Sequence, residues 1–200
     1  MGNRCTRPKT NDDIPPNYKP IDQSTTKKID LSNLNLQDED IPNDIKEALR
    51  TEKSLSLSKN EITTDDILKL VNVLKTNENL THLYLSSIPI GATNRGIGYI
   101  GDLIRNNRSI VHLSLDNTKI DDRAFGMIIA ALSLNSPSIQ CLDLRSNKDV
   151  TDHSVPFLLK MAEKNHILSH CYLNDCGLSE EGKEKLRKAK SIKWYLRENT

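Results

Sequence analysis

Large aromatic rings are scarce in this chain: one Trp, two Phe and five Tyr among 200 residues, while Leu and Ile are plentiful and spread along it. A core centred on a few big rings is therefore excluded, and one assembled from repeated small aliphatic layers is expected. Cysteine is scarce too. Cys5, Cys141, Cys171 and Cys176 show no metal-finger spacing and are too few and scattered for a secreted disulfide framework. A reduced, intracellular setting is the better reading. Charge of one sign is lacking, since 28 Lys and Arg against 27 Asp and Glu leave no global field directed at nucleic acid or an acidic surface. No apolar run approaches the roughly 20 residues a membrane span needs, and the first residues lack the apolar stretch of a signal peptide. Asn79-Leu80-Thr81 and Asn107-Arg108-Ser109 match the glycosylation acceptor pattern, but with no export signal they are read as chance.

What is present begins with Met1-Gly2-Asn3-Arg4-Cys5-Thr6-Arg7-Pro8-Lys9. Gly2 after the initiator, with Thr6 four residues later, fits the N-myristoylation signal. One myristoyl chain gives only marginal membrane binding, so stable anchoring takes a second acyl chain or a basic patch. Cys5 supplies a site for palmitate, and Arg4, Arg7 and Lys9 each add about 1 kcal/mol at an anionic leaflet. Over these few residues the chain resembles the dual-acylated N-termini of G-protein α subunits and Src-like kinases. Pro8, Pro15, Pro16 and Pro20 then alternate with polar residues, and no apolar period appears. Residues 1–26 are expected to form a flexible, acylated tether. A span of roughly 25 Å for about 20 such residues holds a folded body off a membrane. A linker is favoured over a ligand for a proline-reading domain, because no Pro-x-x-Pro cluster has a favourable basic flank.

From Lys28 onward one pattern recurs, most cleanly in Ile110-Val111-His112-Leu113-Ser114-Leu115-Asp116-Asn117-Thr118-Lys119-Ile120. The apolar-x-Leu pair appears as Ile29/Leu31, Leu55/Leu57, Leu83/Leu85, Leu113/Leu115, Leu142/Leu144 and Cys171/Leu173, at intervals of 26 to 30 residues. Five places after each second member comes another apolar residue: Leu36, Ile62, Ile90, Ile120 and Leu178, with Val150 one place late. Between these stretches, sets such as Ile67, Leu70, Val71 and Leu74, or Phe125, Ile128, Ile129 and Leu132, have helical spacing. This is the leucine-rich repeat pattern, and its long period resembles the ribonuclease-inhibitor-like subfamily. The resemblance implies an α/β fold: a curved solenoid over residues 27–200, of about six repeats and a short C-terminal cap. Its parallel strands would line the concave face and its helices the convex face. Lys193-Trp194-Tyr195-Leu196 reads as a truncated final strand whose Trp194 covers the last layer.

Several tempting motifs read as structure. Acidic pairs such as Asp65-Asp66 and Asp121-Asp122 recur where each helix begins, where carboxylates cap free N–H groups and oppose the dipole. Asn60, Thr118, Asn147 and Cys176 hold the turn position from which this family bonds neighbouring backbone, while Leu34 and Ile88 break that ladder. Cys171 and Cys176 are thus expected as buried structural thiols. Gly96-Ile97-Gly98-Tyr99-Ile100-Gly101 matches G-x-G-x-x-G but does not follow a strand directly, as a dinucleotide site requires. Gly91 to Gly98 is expected as a longer, mobile loop. Lys183, Lys185, Arg187, Lys188 and Lys190 give the last helix a basic face.

Side chains alternating with the core leucines should line one surface. It would carry His82, Tyr84, His112, Ser114, Asp116, Asp143, Arg145, His170, Tyr172 and Asn174, a polar set containing the Tyr and Arg types that favour interface hot spots. Asp116, Asp143 and Arg145 are expected to pair. His82, His112, Cys141 and His170 share one column about 4.8 Å apart, but a flat row wraps poorly around a tetrahedral zinc ion. No metal, cofactor or catalytic group is expected, and no nucleic acid. The expected function is non-covalent protein recognition by a monomer at the cytoplasmic, inner-leaflet face of a membrane, with Gly2 and Cys5 lipidated. Two related solenoid families give the alternatives: a regulator resembling the Ran GTPase-activating proteins, or an actin-end binder of the tropomodulin type.

Overall fold

Leucines at every second position, followed by a helical set, build the same unit again and again. The computed structural model describes residues 27–28, 41, 43–133 and 138–196. Gly2, Cys5, the 1–26 segment, the Ile29/Leu31 pair, Leu34 and Leu36 lie outside the described residues. In chain order the elements are β1 (Lys27–Lys28), α1 (Asn43–Thr51), β2 (Ser54–Ser56), α2 (Thr64–Leu74), β3 (His82–Tyr84), α3 (Asn94–Asn106) and β4 (His112–Ser114). There follow α4 (Asp122–Ser133), β5 (Cys141–Asp143), α5 (Val155–Lys164), β6 (His170–Tyr172), α6 (Glu180–Lys188) and β7 (Lys193–Tyr195). The seven strands form one sheet in sequential order, and every neighbouring pair is parallel. This is an α/β architecture of strand–helix units stacked side by side.

Register keeps each side chain in its column. Leu55, Leu83, Leu113, Leu142, Cys171 and Trp194 are successive partners. Leu57, Leu85, Leu115, Leu144 and Leu173, two places on, are buried in the same core as Leu70, Leu74, Ile100, Ile104, Ile128, Leu132, Leu158 and Leu186 of the helices. Each aliphatic side chain removed from water in this way contributes about 1.5–3 kcal/mol. After β2, β3, β4, β5 and β6 the chain turns through a residue with positive φ: Lys59, Ser87, Asn117, Ser146 and Asp175. Left-handed backbone costs a non-glycine residue roughly 1–2 kcal/mol. The turns offset it by pairing: Lys59 N, Ser87 N, Asn117 N and Ser146 N donate to Ser86 O, Asp116 O, Arg145 O and Asn174 O at 2.8–3.0 Å.

Two polar spines lock the stack. At the turn after each strand, Asn147 donates through Nδ2 to Leu115 O (2.9 Å) and Leu144 O (2.8 Å), and its Oδ1 accepts from Thr118 N and Ile120 N, both at 3.0 Å. Asn60, Thr118 and Cys176 bond carbonyls from the same offset, and Ile88 enters the apolar core instead. The second spine lies where helix returns to strand. Asn77, Asn107 and Asn165 donate to Leu49 O, Leu74 O and Leu132 O of the preceding unit at 2.6–2.7 Å. Their Oδ1 atoms accept the backbone N–H groups that lead into the next strand.

The acidic pairs do cap helices, and they also reach across units. Thr63 and Asp66 form a reciprocal capping box on α2, and Asp121 accepts from Ala124 N at 2.7 Å. Asp122 accepts from Thr151 N, Thr151 Oγ1 and Ser154 Oγ of the following unit. Asp152 repeats this with Ser179. The segment Gly91 to Gly98 departs from the expected long loop. A 3-10 turn at Ile90–Ala92 leads through Thr93, the N-cap, straight into α3, because Thr93 Oγ1 accepts from Gly96 N and starts the helix early. The basic face of α6 is also largely neutralised: Lys183 is buried against Glu180, Lys185 pairs with Glu181, and Arg187 with Glu180 and Glu184. Trp194 packs on the last layer, its Nε1 donating to Ala189 O at 3.0 Å.

Candidate binding face

The residues left over from the core leucines meet on the other face of the sheet, in two columns. One runs Ser54, His82, His112, Cys141, His170, Lys193 and the other Ser56, Tyr84, Ser114, Asp143, Tyr172, Tyr195. Three of the chain's five tyrosines and three of its five histidines stand here. The His82 and His112 rings stack at 5.5 Å, and Tyr84 leans on His112 at 5.1 Å. At the other end Tyr172 and Tyr195 stack at 4.1 Å with His170 beside them, and with Cys141 they form an apolar cluster separate from the main core. Between these aromatic groups lies a charged clasp. Asp143 accepts from Arg145 Nε (2.8 Å) and Nη2 (2.6 Å), and the guanidinium sits 5.7 Å from the Tyr172 ring centre. The expected Asp143–Arg145 pair is thus present. Burial alone would lower the Arg145 pKa, but the hydrogen bonds and charge of Asp143 outweigh it and hold it above the ordinary value. Asp116 and Asn174 stand half-buried at the rim.

The residue before each histidine decides how its ring is held. Thr81 Oγ1 donates to Lys53 O at 2.9 Å, so its lone pair is left to accept from His82 Nδ1, also at 2.9 Å. Ser169 does the same for His170, donating to Gln140 O and lying 2.8 Å from Nδ1. Val111 has no hydroxyl to offer. His112 is 1 % exposed and, among the described residues, neither of its ring nitrogens has a hydrogen-bond partner. Burial foremost, then the neighbouring His82, drive its pKa down to about 3 against the pull of Asp143, so the ring is neutral. Burial and the charge of Lys193 lower His170 as well.

Ser114, His112 and Asp143 are the residue types of a nucleophile, base and orienting acid. No hydrogen bond links His112 to either among the described residues; Ser114 Oγ is 3.0 Å from Ser86 Oγ and 3.5 Å from Asp143 Oδ2. The described hydrogen bonds on this face hold shape and charge. Burial pushes the Cys176 thiol up to about 12 and raises Cys171 as well, which removes the thiolate that reactivity needs. The glycines of Gly96–Gly101 lie inside α3, where Gly96 N is already taken by Thr93 and Gly101 faces Ala131 of α4.

Of the ten residues expected on this face, His82, Tyr84, His112, Ser114, Asp143, His170 and Tyr172 stand in its two columns, and Asp116, Arg145 and Asn174 follow their strands by two places. His82, Tyr84, His112, Ser114, Asp143 and Tyr172 are buried, while Arg145, His170, Asp116 and Asn174 are half-buried. The large exposed apolar side chains, Val73, Phe157 and Ile167, lie elsewhere. The alternation of a strand shows which side chains share a face, and it carries no measure of how deeply each is buried. The chain matches no protein-family model and no curated protein sequence.

Proposed function

We propose that this protein is a non-catalytic protein-interaction module built on the leucine-rich repeat, held at the cytoplasmic face of a membrane by acyl groups on Gly2 and Cys5. The observation that carries the recognition half is the convergence of tyrosines, histidines and the Asp143–Arg145 clasp on one sheet face. Aromatic side chains and arginine supply most interface energy, and a row of parallel strands presents them at fixed spacing without loops to order. Arg145, the arginine of this face among the described residues, is held by Asp143, which favours an adaptor over a regulator that inserts an arginine into a GTPase.

Proximity labelling in cells tests the recognition half, comparing wild type with a chain carrying Asp116→Arg and Asn174→Arg. Both positions stand at the half-buried rim, and circular dichroism of the variant checks that it keeps the wild-type fold. A set of neighbours lost from the variant is the expected result, and identical neighbours rule the face out. For the anchor, Gly2→Ala should move the protein from the membrane to the soluble fraction. Unchanged fractionation would end the lipid reading.

A further inference from the structure

Successive residues of a strand in a parallel ladder aim their N–H and C=O groups to opposite sides, so every strand has two bonding edges. β7 stands last in the sheet. Its Lys193 N donates to Ser169 O at 2.9 Å, and its Tyr195 O accepts from Leu173 N at 2.8 Å. Those two residues therefore face β6, and Trp194 between them aims its N–H and C=O away from the sheet. Neither group has a partner among the described residues. The Trp194 ring is half-buried on the last layer, which sets an apolar surface beside the open backbone groups.

Charge around this edge is of one sign. Within α6 the cations are paired: Lys183 with Glu180, Lys185 with Glu181, Arg187 with Glu180 and Glu184. Lys188 at the end of α6, Lys190 and Lys193 are exposed. No carboxylate pairs with them among the described residues, and Lys193 leans over the Tyr195 ring at 5.3 Å. An open edge takes a strand, because a polypeptide backbone both donates and accepts at the spacing of the ladder. The lysines select the charge of that strand. A second copy of this chain would set its own lysines against these, which is how natural edges resist self-pairing. A segment rich in carboxylates instead finds three unpaired cations.

We propose that β7 is a docking edge for an extended acidic segment of another protein, which adds to the seven-stranded sheet as a further strand. The segment's backbone takes the Trp194 N–H and C=O. Its carboxylates meet Lys188, Lys190 and Lys193, and an apolar side chain covers the rim of Trp194. This surface is separate from the strand-face histidines and needs no membrane anchor.

Trp194 is the only tryptophan in the chain and reports the event directly. The probe is a short blocked peptide of alternating Glu and Val, titrated into the full-length protein while Trp194 emission is followed. A saturable change with a Kd below about 1 mM is expected. The same peptide N-methylated throughout keeps its charge but loses its backbone donors, and should bind at least about tenfold more weakly. So should the unmodified peptide toward a chain carrying Lys188→Gln, Lys190→Gln and Lys193→Gln, whose resting Trp194 emission checks that the last layer is intact. No saturable change up to about 1 mM overturns the proposal. Equal binding of the N-methylated peptide overturns it as well, since charge alone would then account for the contact. Unchanged affinity in the lysine variant overturns the acidic assignment, and a dimer of the free protein in sedimentation that the peptide dissolves gives the edge to a second copy. No membrane or cellular partner enters the assay, so its failure is distinct from failure of the adaptor reading.

Discussion

Asn147 shows how much one side chain can hold. It is 1 % exposed, and its amide serves two carbonyls and two backbone N–H groups from adjoining units. Asn147→Ala leaves those groups buried without partners, and urea unfolding should show a loss of about 2–4 kcal/mol. His112 makes a second residue-scale prediction. Its imidazole is neutral when folded, with a pKa of about 3, while the unfolded side chain takes a proton near about 6.5. Stability is therefore complete above that value and falls as pH drops from about 6.5 toward 3. Between pH 7 and pH 5 the loss should approach about 1–2 kcal/mol, and His112→Phe should flatten that part of the profile. The Asn60, Thr118, Asn147 and Cys176 spine was legible in the sequence because it lies at a fixed offset from a leucine pair. The Asn77, Asn107 and Asn165 spine was not. It falls among polar residues at the helix exits, where no apolar contrast sets the phase.

At the scale of the element, space distinguishes glycines that look alike in sequence. A Cβ on Gly91 would lie 2.3 Å from Lys119 O, a backbone atom of the next unit. A Cβ on Gly98 meets nothing within 4 Å, and Gly98 is in the body of α3. Gly91→Ala should therefore cost about 1–3 kcal/mol through overpacking, whereas Gly98→Ala should stabilise by about 0.5–1 kcal/mol by relieving backbone entropy. Thermal unfolding of the two variants would show midpoints moving in opposite directions. Equal losses would mean that Gly98 is held by something other than helix geometry. Strands and helices were readable because their apolar periods of two and 3.6 differ. The early start of α3 was not, because Thr93 caps it ahead of three glycines that individually disfavour a helix. The double duty of Asp122 and Asp152, each bonding the next unit as well as standing at a helix start, was hidden for another reason. A capping pattern is local, and the partner is about 30 residues away.

For the whole molecule, stacking in sequence order means that each unit leans chiefly on its neighbours, so stability is close to a sum of unit and interface contributions. The columns of the strand face follow from that order alone, and the repeat spacing gave them correctly. Their burial did not follow from it, because alternation assigns side chains to a face without saying how deeply each is packed. Interior strands have two neighbours and the edge strands β1 and β7 have one, so the units at the two edges should open before the middle.

Trp194 turns that asymmetry into a signal. It is the only tryptophan in the chain, and it stands in β7, packed on the final layer with its indole N–H on Ala189 O. Intrinsic emission therefore watches one end of the array and is blind to the middle. In a urea titration the red shift of Trp194 should reach its midpoint before far-ultraviolet ellipticity does. Coincident midpoints would show that the end is welded to the rest. An investigator following ligand binding by this fluorophore would see events at the C-terminal layer, while an event at His112, in β4, would pass in the dark.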